Sequence, residues 1–327
     1  MHIPVLLKEV VEILNPQPGE FFVDGTLGSG GHAVEIIKKI SPNGKLLGVD
    51  WDKDAIERLK IVFARGKSPE GLKLKDYKNV ILINNNYANL PEILKKIRKA
   101  DPSIPLRASG LILDLGFSSE QLEKSGRGFS FLKNEPLDMR YSQEMSNEKG
   151  EMRNLTAVEI VNSFNEKDLA DIFYKYGEER FSRRIAKKII EERRKKRILT
   201  TLDLVEVIKK AAPRSYEKGR IHPATRVFQA LRIYVNDELG NLEKLLKNID
   251  KIIKNKGRIA IISFHSLEDR LVKNYFREMV KQGKAEFFPP RADQPRAETK
   301  KPTTATLEEI RSNPRSRSAK MRAIKLI

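Results

Sequence analysis

The chain has 327 residues, 33% of them charged, and its net charge of +19 favours a polyanionic partner such as nucleic acid over a surface adapted only to heat, which would gain both signs. That length buries a full core and predicts two domains, or one domain with a large insertion. The absence of cysteine excludes disulfides, thiolate metal sites and a Cys nucleophile, and His2, His32, His222 and His265 are too scattered for a metal motif.

In chain order, Leu6, Leu7, Val10, Val11, Ile13 and Leu14 predict a short amphipathic helix closed by Asn15-Pro16. Acid arrives at Glu9, too early for a signal peptide, and no stretch reaches the ~20 apolar residues of a membrane span. A cytoplasmic protein without membrane contact is the expectation. Phe21–Asp24 reads as a strand, followed by the glycine-rich Gly25–His32 and a helix from about Ala33 to Ile40. Lys45–Asp50 is a second strand, residues 53–64 a helix, Asn79–Ile83 a third strand, and Leu90 opens another helix. Gly110–Asp114 is a fourth strand. The alternation implies an α/β fold, a parallel sheet with helices on both faces.

The next buried strand is Arg258–Ser263. A crossover needs only ~30 residues, so most of the stretch between must form something else. Residues 155–212 show helical periodicity and no strand alternation, which predicts an inserted all-helical domain over residues 118–215. The core is then discontinuous, residues 1–117 and 216–327. Residues 224–254 read as the delayed crossover helices, with Leu239, Leu242, Leu245, Leu246, Ile249 and Ile252 facing inward. Residues 289–318, rich in Pro, Arg, Ser and Thr, read as loop, and Met321–Ile327 as a returning edge strand.

Gly28-x-Gly30-x-x-Ala33 opens a helix directly after a strand, and Asp50 ends the next strand about 20 residues on, the pattern of a nucleoside-cofactor site. NAD would satisfy those residues. Asp24 argues otherwise: a carboxylate just before the loop repels a pyrophosphate and suits the ammonium and sulfonium end of S-adenosylmethionine. The spacing Asp24-x-Thr26-x-Gly28-x-Gly30 resembles the first motif of class I methyltransferases, with Thr in place of the first glycine. Tyr87, after the third strand, is placed either to pack on an adenine or simply to fill the core.

Asp114-Leu115-Gly116-Phe117 closes the fourth strand and resembles the Asp/Asn-Pro-Pro-Tyr/Phe loop of amino methyltransferases, with both prolines missing. An exocyclic amine of a base is a poor nucleophile because its lone pair is delocalised. A carboxylate accepting an amine hydrogen localises that pair, and an aromatic face holds the base. Asp114 is the candidate acceptor and Phe117 the candidate stacking residue; a strand cap with a core Phe is the structural alternative. Without cysteine, methylation at pyrimidine carbon 5 through a Cys adduct is excluded.

Asp24–His32, Leu113–Ser119 with Gln121, Arg127–Phe131, Pro136–Arg140, His222–Arg232, Ser263–Arg270 and Asn313–Lys320 together resemble the MraW/RsmH family from about residue 2 to the tail. The resemblance implies a Rossmann-like class I methyltransferase sheet with an inserted helical domain. It implies methyl transfer from S-adenosylmethionine to N4 of a cytidine in the decoding region of small-subunit ribosomal RNA, in an assembled or partly assembled subunit. Cofactor contacts carried over by motif are Gly30, Gly31, His32, Asp50, Tyr87, Asp114 and Gln121. Arg226, Arg232 and His265 fall in family blocks and are candidates for substrate binding, phosphate binding or a structural role.

Residues 175–197 hold a surplus of Lys and Arg over Glu and read as a basic helix face for phosphates or merely for solvent, and the basic stretch from Arg311 to Lys325 reads as a tail that folds on RNA. The competing readings are a non-catalytic RNA-binding assembly protein, an NAD-dependent oxidoreductase and a DNA amino methyltransferase.

Overall fold

The computed structural model describes residues 3–64, 79–116, 125–142, 155–213, 222–288 and 301–327. It divides into two compact units, one formed by Met1–Gly116 with Leu239–Ile327 and the other by Phe117–Glu238. No helix among the described residues is long and apolar enough to cross a membrane.

The first unit is built on a seven-stranded sheet: β1 (Phe21–Asp24), β2 (Lys45–Asp50), β3 (Val80–Asn84), β4 (Ala108–Asp114), β5 (Ile253–Ser263), β6 (Ala285–Phe287) and β7 (Lys320–Leu326). Their order is β3-β2-β1-β4-β5-β7-β6. The first five are mutually parallel and β7 runs antiparallel to both β5 and β6, a Rossmann-like α/β arrangement. The central strands are buried on both faces, which is why β1 and β4 read as continuous apolar runs without alternation. Helix Leu90–Ala100, with Pro91 in its first turn, buries Ile93, Leu94 and Ile97 against one face. Helix Gly31–Ile40 buries Ile36, Ile37 and Ile40 against the other. The sheet tolerates no side chain at Gly110, where a Cβ would stand 2.1 Å from the Phe22 ring.

The second unit has its own core, in which Phe129, Leu137 and Met139 join the helices Ala157–Ser163, Glu166–Gly177, Ser182–Arg193, Thr201–Ala211 and Ala224–Asn236. Polar side chains fix where these helices begin. Thr156 pairs with Glu159 and Thr200 with Asp203 in reciprocal capping boxes, and Asn165 caps Asp168. Arg193 ends its helix inward, donating from Nη1 to the carbonyls of Val161 and Phe164 at 2.8 and 2.7 Å.

Several expectations change. The helix Ala224–Asn236 belongs to the second unit, not to the sheet, because Val227, Phe228 and Leu231 bury in that unit's core. The chain leaves this helix through Asp237 in the left-handed conformation, and Leu242, Leu245, Leu246, Ile249 and Ile252 cover the sheet as the periodicity required, while Leu239, expected with them, is only half-buried and outside that core. β5 starts earlier than predicted, at Ile253, since Lys254, Asn255 and Lys256 are exposed and carry no apolar signal. The returning strand β7 is interior; β6, only three residues long, covers its open side. Of the expected loop 289–318, residues 289–300 lie outside the described residues, and the rest holds helix Leu307–Ser312, capped by Thr306, and a 3-10 turn at Pro314–Ser318. The basic tail is therefore held in the fold, and Arg322 pairs with Asp269 through Nε at 2.6 Å and Nη2 at 3.2 Å.

Candidate functional site

The direction of chain progression reverses between β1 and β4: β2 and β3 lie on one side, β5 on the other. In open α/β sheets, ligands bind at such a switch point, beyond the carboxyl ends of the strands. Asp24 ends β1, Asp50 ends β2 and Asp114 ends β4, so three carboxyls stand along that edge.

The turn after β1 is wired to both neighbours. Thr26 N donates to Asp24 Oδ1 at 3.1 Å, and Thr26 Oγ1 accepts from Asp114 N at 2.6 Å. Gly28 N donates to Asp50 Oδ2 at 2.7 Å, while Asp52 N donates to Asp50 Oδ1 at 2.8 Å. Gly28 and Gly30 adopt positive φ, +52° and +80°, which a side chain would strain. The other glycine faces serve packing. A Cβ at Gly30 would stand 3.0 Å from Leu59, and one at Gly31 would stand 2.1 Å from Pro4 Cγ.

Burial sets the electrostatics. It pushes the Asp24 carboxyl up to about 8, further raised by Asp114 and Asp50. Burial raises Asp50 to about 6 against the two amides it accepts. Burial and the charge of Glu268 raise Asp114 to about 7. Among the described residues, Asp114 Oδ1 is buried with no hydrogen-bond partner, while the side chain as a whole keeps 20% of its exposure. A buried acceptor left open is rare in folded proteins and marks a place where a ligand donor fits.

His32 is buried, and its Nε2 lies 3.0 Å from Val5 O. A carbonyl only accepts, so Nε2 carries the proton, and in the neutral ring Nδ1 keeps its lone pair. Nδ1 faces Asp114 Oδ2 at 3.8 Å, too far for a hydrogen bond. Tyr87 begins a 3-10 turn after β3 and is half-buried; a Cβ at Gly25 would stand 3.2 Å from Tyr87 Cβ, so the ring starts beside the glycine loop. The structure thus gathers Gly30, Gly31, His32, Asp50, Tyr87 and Asp114 around one sheet edge. Phe117 and Gln121 lie outside the described residues.

Of the remaining candidates, Arg226 and Arg232 have structural partners, and His265 has one for Nδ1, while its Nε2 is buried with no hydrogen-bond partner among the described residues. His265 is the N-cap of helix Ser266–Lys281, its Nδ1 accepting from Glu268 N at 3.4 Å. Arg232, in the second unit, forms a paired contact to Glu238 at 2.8 and 2.9 Å. Arg226 donates to Glu178 O at 2.8 Å. Sequence reasoning missed Thr26 as the hydroxyl tying β1 to β4, and Glu268 as the carboxylate behind the turn after β5. The spacing His265-x-x-Glu268 of a capping box was the available signal for the second.

A profile of the MraW methylase family matches residues 1–327. A Clostridium botulinum (strain Loch Maree / Type A3) protein named ribosomal RNA small subunit methyltransferase H is 44% identical over 333 residues, covering 100% of this chain and 99% of its own. The protein of that name from Geotalea daltonii is 43% identical over 332 residues, covering 100% and 98%. That from Dictyoglomus thermophilum is 42% identical over 323 residues, covering 98% and 95%. With a match along its whole length and relatives at this identity, the chain belongs to the MraW methylase family.

Proposed function

We propose that this methylase transfers the methyl group of S-adenosylmethionine to the exocyclic N4 of a cytidine in the decoding region of small-subunit ribosomal RNA. The family match and the relatives named as small-subunit rRNA methyltransferases support the reaction and the RNA class. The observation that carries the chemistry is Asp114, whose Oδ1 is buried and unpartnered among the described residues at the switch point of the sheet.

The residues present fit the cofactor. Three carboxyls meet at one sheet edge, held by burial above the ordinary carboxylate range; an ammonium and a sulfonium favour their ionised form, whereas a pyrophosphate would gain nothing from them and meet any ionised one as a like charge, which counts against the NAD reading. Asp50 holds both oxygens against backbone amides yet keeps lone pairs for ribose hydroxyls. Gly28, Gly30, Gly31, His32 and Tyr87 shape the rest of the seat. When bound, S-adenosylmethionine supplies an electrophilic methyl group on a sulfonium.

Asp114 does the chain's part of the reaction. Its free oxygen accepts an N4 hydrogen and localises the amine lone pair. As the new N–C bond forms and the methyl's bond to sulfur breaks, its pair staying on sulfur, the Asp114 carboxylate, balanced near neutrality, takes up the proton that N4 sheds. Phe117 is the proposed stacking residue for the base.

RNA contact falls to the second unit. The run 175–197 is not one helix, because Glu178 breaks it in the left-handed conformation. Lys188 and Lys195 pair with Glu192, and Lys196 pairs with Asp203. Arg183, Arg184 and Lys187 are exposed and have no acidic partner among the described residues. Those three are the proposed phosphate contacts. Arg232 is already held by Glu238, so a substrate-binding role is not proposed for it; His265 keeps that role, since its Nε2 is buried with no hydrogen-bond partner among the described residues.

The test is incubation with methyl-labelled S-adenosylmethionine and small ribosomal subunits lacking the modification, followed by nuclease digestion and mass spectrometry. Label on cytidine N4 in the decoding region supports the proposal. Label on another base, or RNA binding indifferent to cofactor with no transfer, overturns it, the second outcome in favour of an assembly factor.

A further inference from the structure

Glu268 has no part in the reaction as derived so far, yet it is buried in the first turn of helix Ser266–Lys281. Its Oε2 accepts from Phe264 N at 2.9 Å and from His265 N at 3.3 Å. Oε1 lies 3.2 Å from His265 Nε2, outside hydrogen-bond geometry. The Phe264 ring covers Gly116, where a Cβ would stand 3.1 Å from ring Cδ2. Leu115 N donates to Ile262 O at 2.9 Å, and Asp114 lies opposite Ile262 in the β4–β5 register. A continuous path therefore runs from the Glu268 carboxylate, through the Phe264 turn, to the segment that begins with Asp114.

A helix cap alone does not need this arrangement. Glu159 and Asp203 complete equivalent capping boxes in the second unit without being buried. Burying Glu268 costs solvation and sets a negative charge against Asp114. We propose that Glu268 is a positioning residue for methyl transfer, clamping the Phe264–His265 turn so that the Asp114–Gly116 segment holds its carboxylate toward the acceptor amine. The proposal rests on the acceptor role of Asp114 given above.

It also predicts a sign. Among the described residues, the titratable groups facing Asp114 are Asp24 from the end of β1, His32 from helix Gly31–Ile40 and Glu268 from helix Ser266–Lys281. Removing the Glu268 charge leaves the other two in place and makes ionised Asp114 easier to form. The acid limb of the rate therefore moves to lower pH in Glu268→Gln.

The experiment uses the full chain and unmodified small subunits in single-turnover methyl transfer across about pH 5 to 9. The variants are Glu268→Gln, Phe264→Leu and Asp114→Asn. In parallel, the Asp114 carboxyl is titrated by carbon NMR in wild type and Glu268→Gln, with Asp114→Asn identifying its signal. The expected result is a kcat lowered about tenfold or more in Glu268→Gln, a KM for S-adenosylmethionine within about twofold, and an acid limb and NMR midpoint both shifted down. Phe264→Leu is expected to lower kcat without moving the limb. Wild-type kcat and an unmoved Asp114 midpoint in a folded Glu268→Gln, with only Tm reduced, leave a helix cap and overturn the proposal. If wild type transfers no methyl group, the proposed reaction fails, and the NMR midpoint still decides whether Glu268 acts on Asp114.

Discussion

Asp24, Asp50 and Asp114 are held by burial above the ordinary carboxylate range, at about 8, 6 and 7. The unfolded chain titrates them near ~3.9, so between those limits the folded state binds more protons. Their contribution to stability is complete below about pH 4 and is lost as pH rises through the folded values. The midpoint of thermal unfolding of the ligand-free protein is expected to fall from about pH 5 to 9, and Asp24→Asn to flatten that fall most. A cationic ligand favours the ionised carboxyls, so calorimetric affinity for S-adenosylmethionine should rise over the same window; a flat profile would remove these carboxyls from cofactor binding. Asp114→Asn is expected to fold, since it removes a buried charge, and to lose about 10²–10⁴ of single-turnover methyl transfer. Turnover near wild type would assign the acceptor role elsewhere. At this scale, Asp24, Asp50 and Asp114 were legible because each ends an apolar run. Thr26 and Glu268 were not, because Thr26 meets Asp114 across 88 residues and Glu268 acts through the Phe264 ring on a different strand.

Among the elements, the basic run 175–197 shows why composition alone misleads. Its cations look equivalent in sequence, but the structure separates those bound to Glu192 and Asp203 from Arg183, Arg184 and Lys187. On a helix, 183, 184 and 187 fall within one quarter to one third of the circumference, roughly 100°. Replacing these three by Ala should flatten the plot of log affinity against log salt for ribosomal RNA by about 2, as expected for three lost phosphate contacts on single strands. Replacing Lys188, Lys195 and Lys196 should change the slope less, because each already has a carboxylate partner. Equal effects of the two sets would make the basic run a general field with no defined contact face. The helix Ala224–Asn236 gives the same lesson: its apolar stripe predicts burial but not which core receives it.

The whole molecule contains two units with separate apolar cores, one built on a sheet and one on helices. Trp51 is the single tryptophan and belongs to the first unit, so its fluorescence reports the sheet, while far-UV circular dichroism weighs the helices of both. S-adenosylmethionine at about 100 times its Kd should stabilise the first unit by about 2.7 kcal/mol. The expected outcome is a Trp51 transition that rises with ligand and a second calorimetric component that does not. Coincident shifts in both signals would mean that the units unfold as one. By itself, the sequence determined the α/β alternation, the helical insertion and the acids at the strand ends, because strand and helix periods and turn residues are local properties of the chain. Only the tertiary structure decided that residues 224–236 join the insertion, that β7 lies inside the sheet under a three-residue β6, and that the tail is pinned by Asp269. Those outcomes depend on which distant surfaces meet, and an apolar or charged side chain carries no record in its own neighbourhood of the partner it will find.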